Sequence, residues 1–178
     1  MATNTWQLDP AHSEVHFRVK HLVITTVTGK FRNFSSAVTT EGDDFTKANI
    51  DFSIDTASVD TNVEARDNHL RSPEFFDSEK YPAMRFQSTA IRPAGDGEYA
   101  LDGNLTIRDV TQPVTLKAEF GGIVIDPWGN TRAGFEVEGT IKRKDFGLAW
   151  DAFTEAGGAV VANEVKLLVN VEYVKAQA

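Results

Sequence analysis

The chain has 178 residues, a formal net charge of −8, a quarter of its residues charged, and no cysteine. That length suits one well-buried core. The negative charge opposes the phosphate neutralisation on which nucleic-acid binding rests and disfavours anionic membrane surfaces, and the absence of thiols excludes disulfides, thiolate-held metals and a cysteine nucleophile.

A single domain over residues 1–178 is therefore expected, with no nucleic-acid partner. The first ten residues are polar around Trp6 and lack the basic start, apolar stretch and small-residue cleavage site of a secretory signal. This reads as a cytoplasmic protein, or a periplasmic one if a leader has been removed. No apolar run approaches the roughly 18 residues of a membrane span, so stable membrane insertion is not expected.

Val15, Phe17 and Val19 alternate with His16, Arg18 and Lys20, the period-two pattern of a strand with one buried face. His12, His16 and His21 lie close in sequence, but on one strand His12 and His16 stand about 13 Å apart, too far to share an ion, and no metal site is expected. A nucleophile and base drawn from Asp9, His12 and Ser13 fail because strand neighbours point to opposite faces. His21 has the parity of the apolar row. It is a core histidine bonded to backbone, a contact for a ligand's polar head, or a surface residue.

Weaker rows at Trp6 to Leu8 and at Val27 to Val38 precede Ile50, Phe52 and Ile54, a second clear alternation. The stretch 61–81 breaks the pattern. Thr61 or Asn62 is placed to cap a helix, and Ser72-Pro73-Glu74 supplies a second cap followed by proline, so two short helices are predicted, with Leu70, Phe75 and Phe76 as their apolar residues. Arg66, Asp67, His69 and Arg71 make a dense polar run there. This is either a solvated helix face with local ion pairs or a seat for a ligand head group.

Beyond the insertion the alternation resumes at Met84 and Phe86, at Tyr99, Leu101, Gly103, Leu105 and Ile107, and at Val114, Leu116, Ala118 and Phe120. It continues at Phe135, Val137, Gly139 and Ile141 and ends at Val165, Leu167, Val169 and Val171. Turn residues at 41–44, 94–97 and 126–130 separate the rows. Eight to ten strands follow, suited to a closed barrel or a sandwich. Lys142-Arg143-Lys144, directly before Asp145-Phe146-Gly147, reads as a strand end and loop. No phosphate-binding loop, dinucleotide fingerprint or nucleophile elbow is present, and patterning alone does not decide whether a small barrel is filled or hollow.

Together these pieces resemble the YceI-like family of bacterial, lipocalin-like, polyisoprenoid-binding proteins. The carriers are Trp6-Gln7-Leu8-Asp9-Pro10-Ala11-His12-Ser13 leading to Phe17 and His21, and Val27-Thr28-Gly29-Lys30-Phe31. The block from Ser58 through Arg66-Asp67-Asn68-His69-Leu70-Arg71-Ser72-Pro73-Glu74-Phe75-Phe76-Asp77 to Tyr81-Pro82 follows. Gly103 to Ile107, Val110 to Val114 and Arg143-Lys144-Asp145-Phe146-Gly147 complete the set.

The resemblance implies an all-β, extended eight-stranded antiparallel barrel with an internal tunnel holding an isoprenoid chain, an isoprenoid quinone or a similar lipid, for storage or transport. No other cofactor is implied, and the chain is expected not to be an enzyme. Combining the inward rows with this tunnel gives the expected lining: Phe17, Val19, His21, Phe31, Phe52, Ile54, Leu70, Phe75, Phe76, Met84, Phe86, Leu105, Ile107, Phe135, Val137, Leu167 and Val169. His21, Arg66, Asp67, His69 and Arg71 are the candidate head-group contacts. The alternative is a filled barrel acting through its surface, in stress-related interactions for example, and a homodimer is left open.

Overall fold

The computed structural model describes residues 2–152 and 160–177. The alternating rows form strands β1 (Thr3–Leu8), β2 (Glu14–His21), β3 (Thr25–Phe31), β4 (Phe34–Glu41), β5 (Asp44–Asp55) and β6 (Val59–Asp60). After helix α1 (Glu64–Arg71) come β7 (Ala83–Gly95), β8 (Glu98–Ile107), β9 (Val110–Ile125), β10 (Thr131–Lys142) and β11 (Val161–Lys175). All pairings are antiparallel. The order β1-β4-β5-β7-β8-β9-β10-β11 closes through β1 against β11, giving an eight-stranded barrel, and β11 also pairs with β2, from which β3 and β6 continue the sheet.

The extra segments arise because three long strands are bent. A short 3-10 turn at Pro10–His12, capped by the Asp9 carboxylate accepting the Ala11 N–H, separates β1 from β2. Another at Thr56–Ser58 separates β5 from β6, and Arg32 and Asn33 part β3 from β4. Proline cannot donate to a ladder, so the first bend is written in the sequence. With each bent pair taken as one strand, every strand neighbours the next in sequence and the last meets the first. Closure removes the sheet edges in the barrel's lower half, the half holding β1 and the end of β11.

The upper half, around β2, β3 and β6, is splayed and carries the insertion. The structure corrects the expectation of two helices: α1 is one, and residues 72–80 form successive turns. Asp77, at φ 49°, reverses the chain, and the amides of Phe76 and Ser78 return to the carbonyls of Leu70 and Arg71. Neither Thr61 nor Asn62 caps α1. Val63 holds the cap position without a side-chain bond, and Asn62 sits at φ 69°.

Two phenylalanines cross inward glycines. A β-carbon on Gly103 would lie 2.3 Å from the Phe86 ring and 2.6 Å from the Gln87 carbonyl, and one on Gly29 would lie 2.2 Å from the Phe17 ring. Gly103→Val is therefore expected to destabilise the fold by about 1–3 kcal/mol through overpacking. A thermal melt matching the unsubstituted protein would show that Phe86 has room to leave.

Candidate functional site

The apolar rows meet inside the barrel, but they do not fill it. Val114, Leu116, Phe135, Val137, Leu167 and Val169 face inward yet are only half-buried, because they border a cavity of about 140 Å³. Its wall is Val38, Phe45, Ile50, Phe52, Ile54, Phe86, Ile91, Tyr99, Leu101, Leu105, Val114, Leu116, Ala118, Phe135, Val137, Leu167, Val169, Val171 and Tyr173.

Phe45, Phe120 and Phe135 close the lower end, with ring centroids 4.9 to 5.6 Å apart. Trp6 backs this floor, 4.9 Å from Phe45, and its indole N–H donates to the Thr40 hydroxyl at 2.9 Å. Toward the splayed end, Phe17, Phe31, Phe76, Met84 and Ile107 form a packed layer of the core, with Phe31 5.5 Å from Phe17 and 5.7 Å from Phe76.

Tyr173 brings a hydroxyl to the wall and secures it. The Tyr173 hydroxyl and the Ser36 hydroxyl lie 2.9 Å apart, and Ser36 donates to the Asp51 carbonyl, so the phenol donates to Ser36. Burial pushes the phenol up to about 12. It therefore remains neutral, and the cavity takes no charge from it.

Of the residues expected from the sequence to line a tunnel, Phe52, Ile54, Phe86, Leu105, Phe135, Val137, Leu167 and Val169 stand in the cavity wall. Phe17, Phe31, Phe76, Met84 and Ile107 lie in the packed layer instead, and Leu70 packs half-buried against that core. Val19 and His21 are half-buried at the upper end of β2, so His21 sits at the rim rather than in the core. Phe75 is buried outside the barrel core, 5.0 Å from His69 and 5.6 Å from Trp150.

Sequence reasoning missed Phe45, Tyr173 and Ile91 outright. Leu101, Leu116, Ala118 and Val171 carried the right inward parity without being assigned to the site.

The polar run of the insertion is spent on holding the insertion in place. Asp67 is buried and accepts from the amide and the hydroxyl of Thr61, at 2.8 and 2.5 Å. Arg66 donates to the Thr61 hydroxyl and carbonyl. Arg71 reaches the carbonyls of Ala57 and Val59, and His69 meets Glu74 at 2.7 Å. Arg66, Asp67 and Arg71 thus clip α1 to residues 57–61, while the His69–Glu74 pair stays within the insertion.

On the outer wall, Arg132 gathers carboxylates, bonding Asp126 at 2.7 Å, Asp9 at 2.8 Å and Glu172 at 3.3 Å. Asp9, His12 and Glu172 offer ligand atoms within 4.8 Å of one another, but the guanidinium already sits among these carboxylates. Ser13 accepts the Glu172 amide at 3.1 Å, so its hydroxyl serves the backbone.

The Arg132 bond holds Asp126 down to about 2 and lowers Asp9 as well. A depressed carboxylate stabilises the fold above its unfolded value near 3.8, and that contribution is lost as pH falls toward 2. Arg132→Met is expected to melt lower at neutral pH and to lose less between pH 4 and pH 2. Melting curves parallel to those of the unsubstituted protein across that window would refute the assignment.

Residues 6–173 match the family model described as YceI-like domain. A Serratia proteamaculans protein is 44% identical over 166 residues, which span 93% of this chain and 83% of that one. Among solved structures, Burkholderia cenocepacia BcnA superposes with a TM-score of 0.80 at 25% identity, covering 93% of this chain and 98% of that one. A polyisoprenoid binding domain from Saccharophagus degradans, implicated in plant cell wall breakdown, gives 0.75 at 17% identity and covers 96% and 98%. The closed barrel, its inward rows and these matches agree, and the chain belongs to the YceI-like domain family.

Proposed function

We infer that the protein binds one long apolar molecule, an isoprenoid chain or a similar lipid tail, inside its barrel and holds or carries it without transforming it. The observation that carries this reading is the cavity wall, built from aliphatic and aromatic side chains of β4, β5 and β7 to β11 with only two tyrosines among them. Such a surface rewards apolar contact at about 0.8 kcal/mol per buried methylene and offers little to a polar substrate. The likeness in fold to a domain named for polyisoprenoid binding supports the same class of ligand.

Size sets how the ligand enters. A cavity of about 140 Å³ belongs with apolar cavities of about 150 Å³ that accept a benzene ring, so it takes one end of a chain. A longer tail must part the layer of Phe17, Phe31, Phe76, Met84 and Ile107, which then joins the wall, and the head group emerges by Val19, His21, Leu70 and Phe75. Among the described residues the His21 ring makes no hydrogen bond, whereas Arg66, Asp67, His69 and Arg71 are each engaged within the insertion or with residues 57–61.

Native mass spectrometry before and after adding a polyprenol tests this reading. The expected result is one polyprenol per chain, recovered by organic extraction. A protein that arrives without lipid and gains no mass would instead be a barrel acting through its surface.

A further inference from the structure

The hairpin joining β2 to β3 ends in Leu22, Val23 and Ile24, which are 36%, 73% and 78% exposed. Turn tips ordinarily carry glycine, asparagine or aspartate. Here Leu22 and Val23 hold φ angles of 52° and 65°, a left-handed backbone that is costly for any side chain and most of all for a β-branched one. Strain and apolar exposure thus coincide on the same residues. A cheaper polar turn would close the same hairpin.

The strands behind this tip are mainly basic on their outer face, where Glu164 is the acidic neighbour of Lys166 on β11 and Asp60 of β6 stands opposite Lys30. Arg18 and Lys20 are exposed on β2, Lys166 lies opposite Arg18 on β11, and Lys30 of β3 lies opposite His16. Among the described residues Arg18 and Lys20 enter no ion pair, and Lys166 reaches Glu138 only at 4.0 Å. This cluster stands out in a chain of net charge −8. Another exposed apolar hairpin, Val124, Ile125 and Trp128 at the opposite end, is built around Asp126 and, among the described residues, has no comparable cluster of unpaired cations.

We propose that the β2–β3 tip docks on anionic lipid bilayers, with Leu22, Val23 and Ile24 entering the headgroup region and Arg18, Lys20 and Lys166 facing its phosphates. An apolar wedge with a basic collar binds through both buried area and charge. The negative charge over the rest of the chain turns other faces away, so the splayed end of the barrel is the end presented. This extends the lipid-binding reading by naming the surface the carrier visits, but docking itself requires nothing in the cavity.

The chain has no cysteine, so Val23→Cys and Trp128→Cys each give one site for an environment-sensitive dye. With phosphatidylcholine vesicles containing phosphatidylglycerol, the dye at position 23 is expected to brighten and shift to the blue, an effect that fades with salt and is absent with phosphatidylcholine alone. The dye at position 128 is expected to stay unchanged. Val23→Ser with Ile24→Ser should reduce sedimentation with the anionic vesicles about tenfold or more.

No shift at 23, an equal shift at both positions, or a shift without vesicles that follows self-association would each overturn the proposal. The serine variant is expected to keep its polyprenol uptake, and vesicle binding and polyprenol uptake measured side by side on the unsubstituted protein separate the two readings. If vesicles fail and uptake persists, docking falls and the cavity reading stands. If vesicles bind and uptake fails, the reverse holds.

Discussion

Replacing Arg143 with methionine is expected to cost about 3–5 kcal/mol, the range for removing one partner from a buried, fully bonded charge. At about 2–4 °C per kcal/mol for a chain of this size, the melting temperature falls by roughly 10 °C. Arg143 is 3% exposed and spends its whole guanidinium on the upper rim. Nε donates to the Ala162 carbonyl, Nη1 to those of Leu148 and Trp150, and Nη2 to the Asp151 carboxylate and the Val161 carbonyl.

A methionine fills similar space but takes the guanidinium donors away from those carbonyls, and among the described residues Asp151 retains Lys144. Lys144→Ala, at a more exposed position, is the control and should cost less than about 1 kcal/mol. Thermal melts of both variants decide the matter. A methionine variant melting within about 2 °C of the parent would show that the clip is dispensable.

The second large effect concerns binding rather than folding. Ala118, buried on β9 between Leu116 and Phe120, stands in the cavity wall opposite Tyr99 on β8 and Val137 on β10. In Ala118→Phe the ring enters the space a lipid tail would use. Displacing three or four methylenes at about 0.8 kcal/mol each weakens polyprenol binding about a hundredfold. Because the ring fills existing space, the melting temperature should hold or rise. Titration with a fluorescent polyprenyl probe reads this directly, and an unchanged affinity would place the ligand elsewhere.

The two substitutions mark where the sequence was legible and where it was not. The inward rows on β8 to β11 could be read residue by residue because alternation reports which face of a strand is buried. Even Gly103 and Gly139 kept the parity, since they make room for Phe86 and Leu116. Alternation does not report height along the barrel, however. It could not tell that Phe17, Phe31 and Phe76 would pack the upper half while Phe45, Tyr99 and Tyr173 would border the hollow.

That division depends on which long rings meet across strands distant in sequence, such as Phe45 of β5 against Phe120 of β9. The insertion misled for a related reason. Ser72-Pro73-Glu74 has the composition of a helix start, but Asp77 and the return of the chain to Leu70 and Arg71 make turns of it. Arg143 looked like a loop cation because its partners are backbone carbonyls, which leave no trace in composition.

Binding of the proposed kind places the lipid tail within the barrel. The most direct test is photo-crosslinking with a polyprenol carrying a diazirine at the end of its chain, followed by mapping of the labelled peptides. Label is expected on the inward residues of β10 and β11, at Phe135, Val137, Leu167, Val169 and Val171, and is expected to be competed away by unlabelled polyprenol. Label confined to outward positions, or to the outer face of α1, would contradict it.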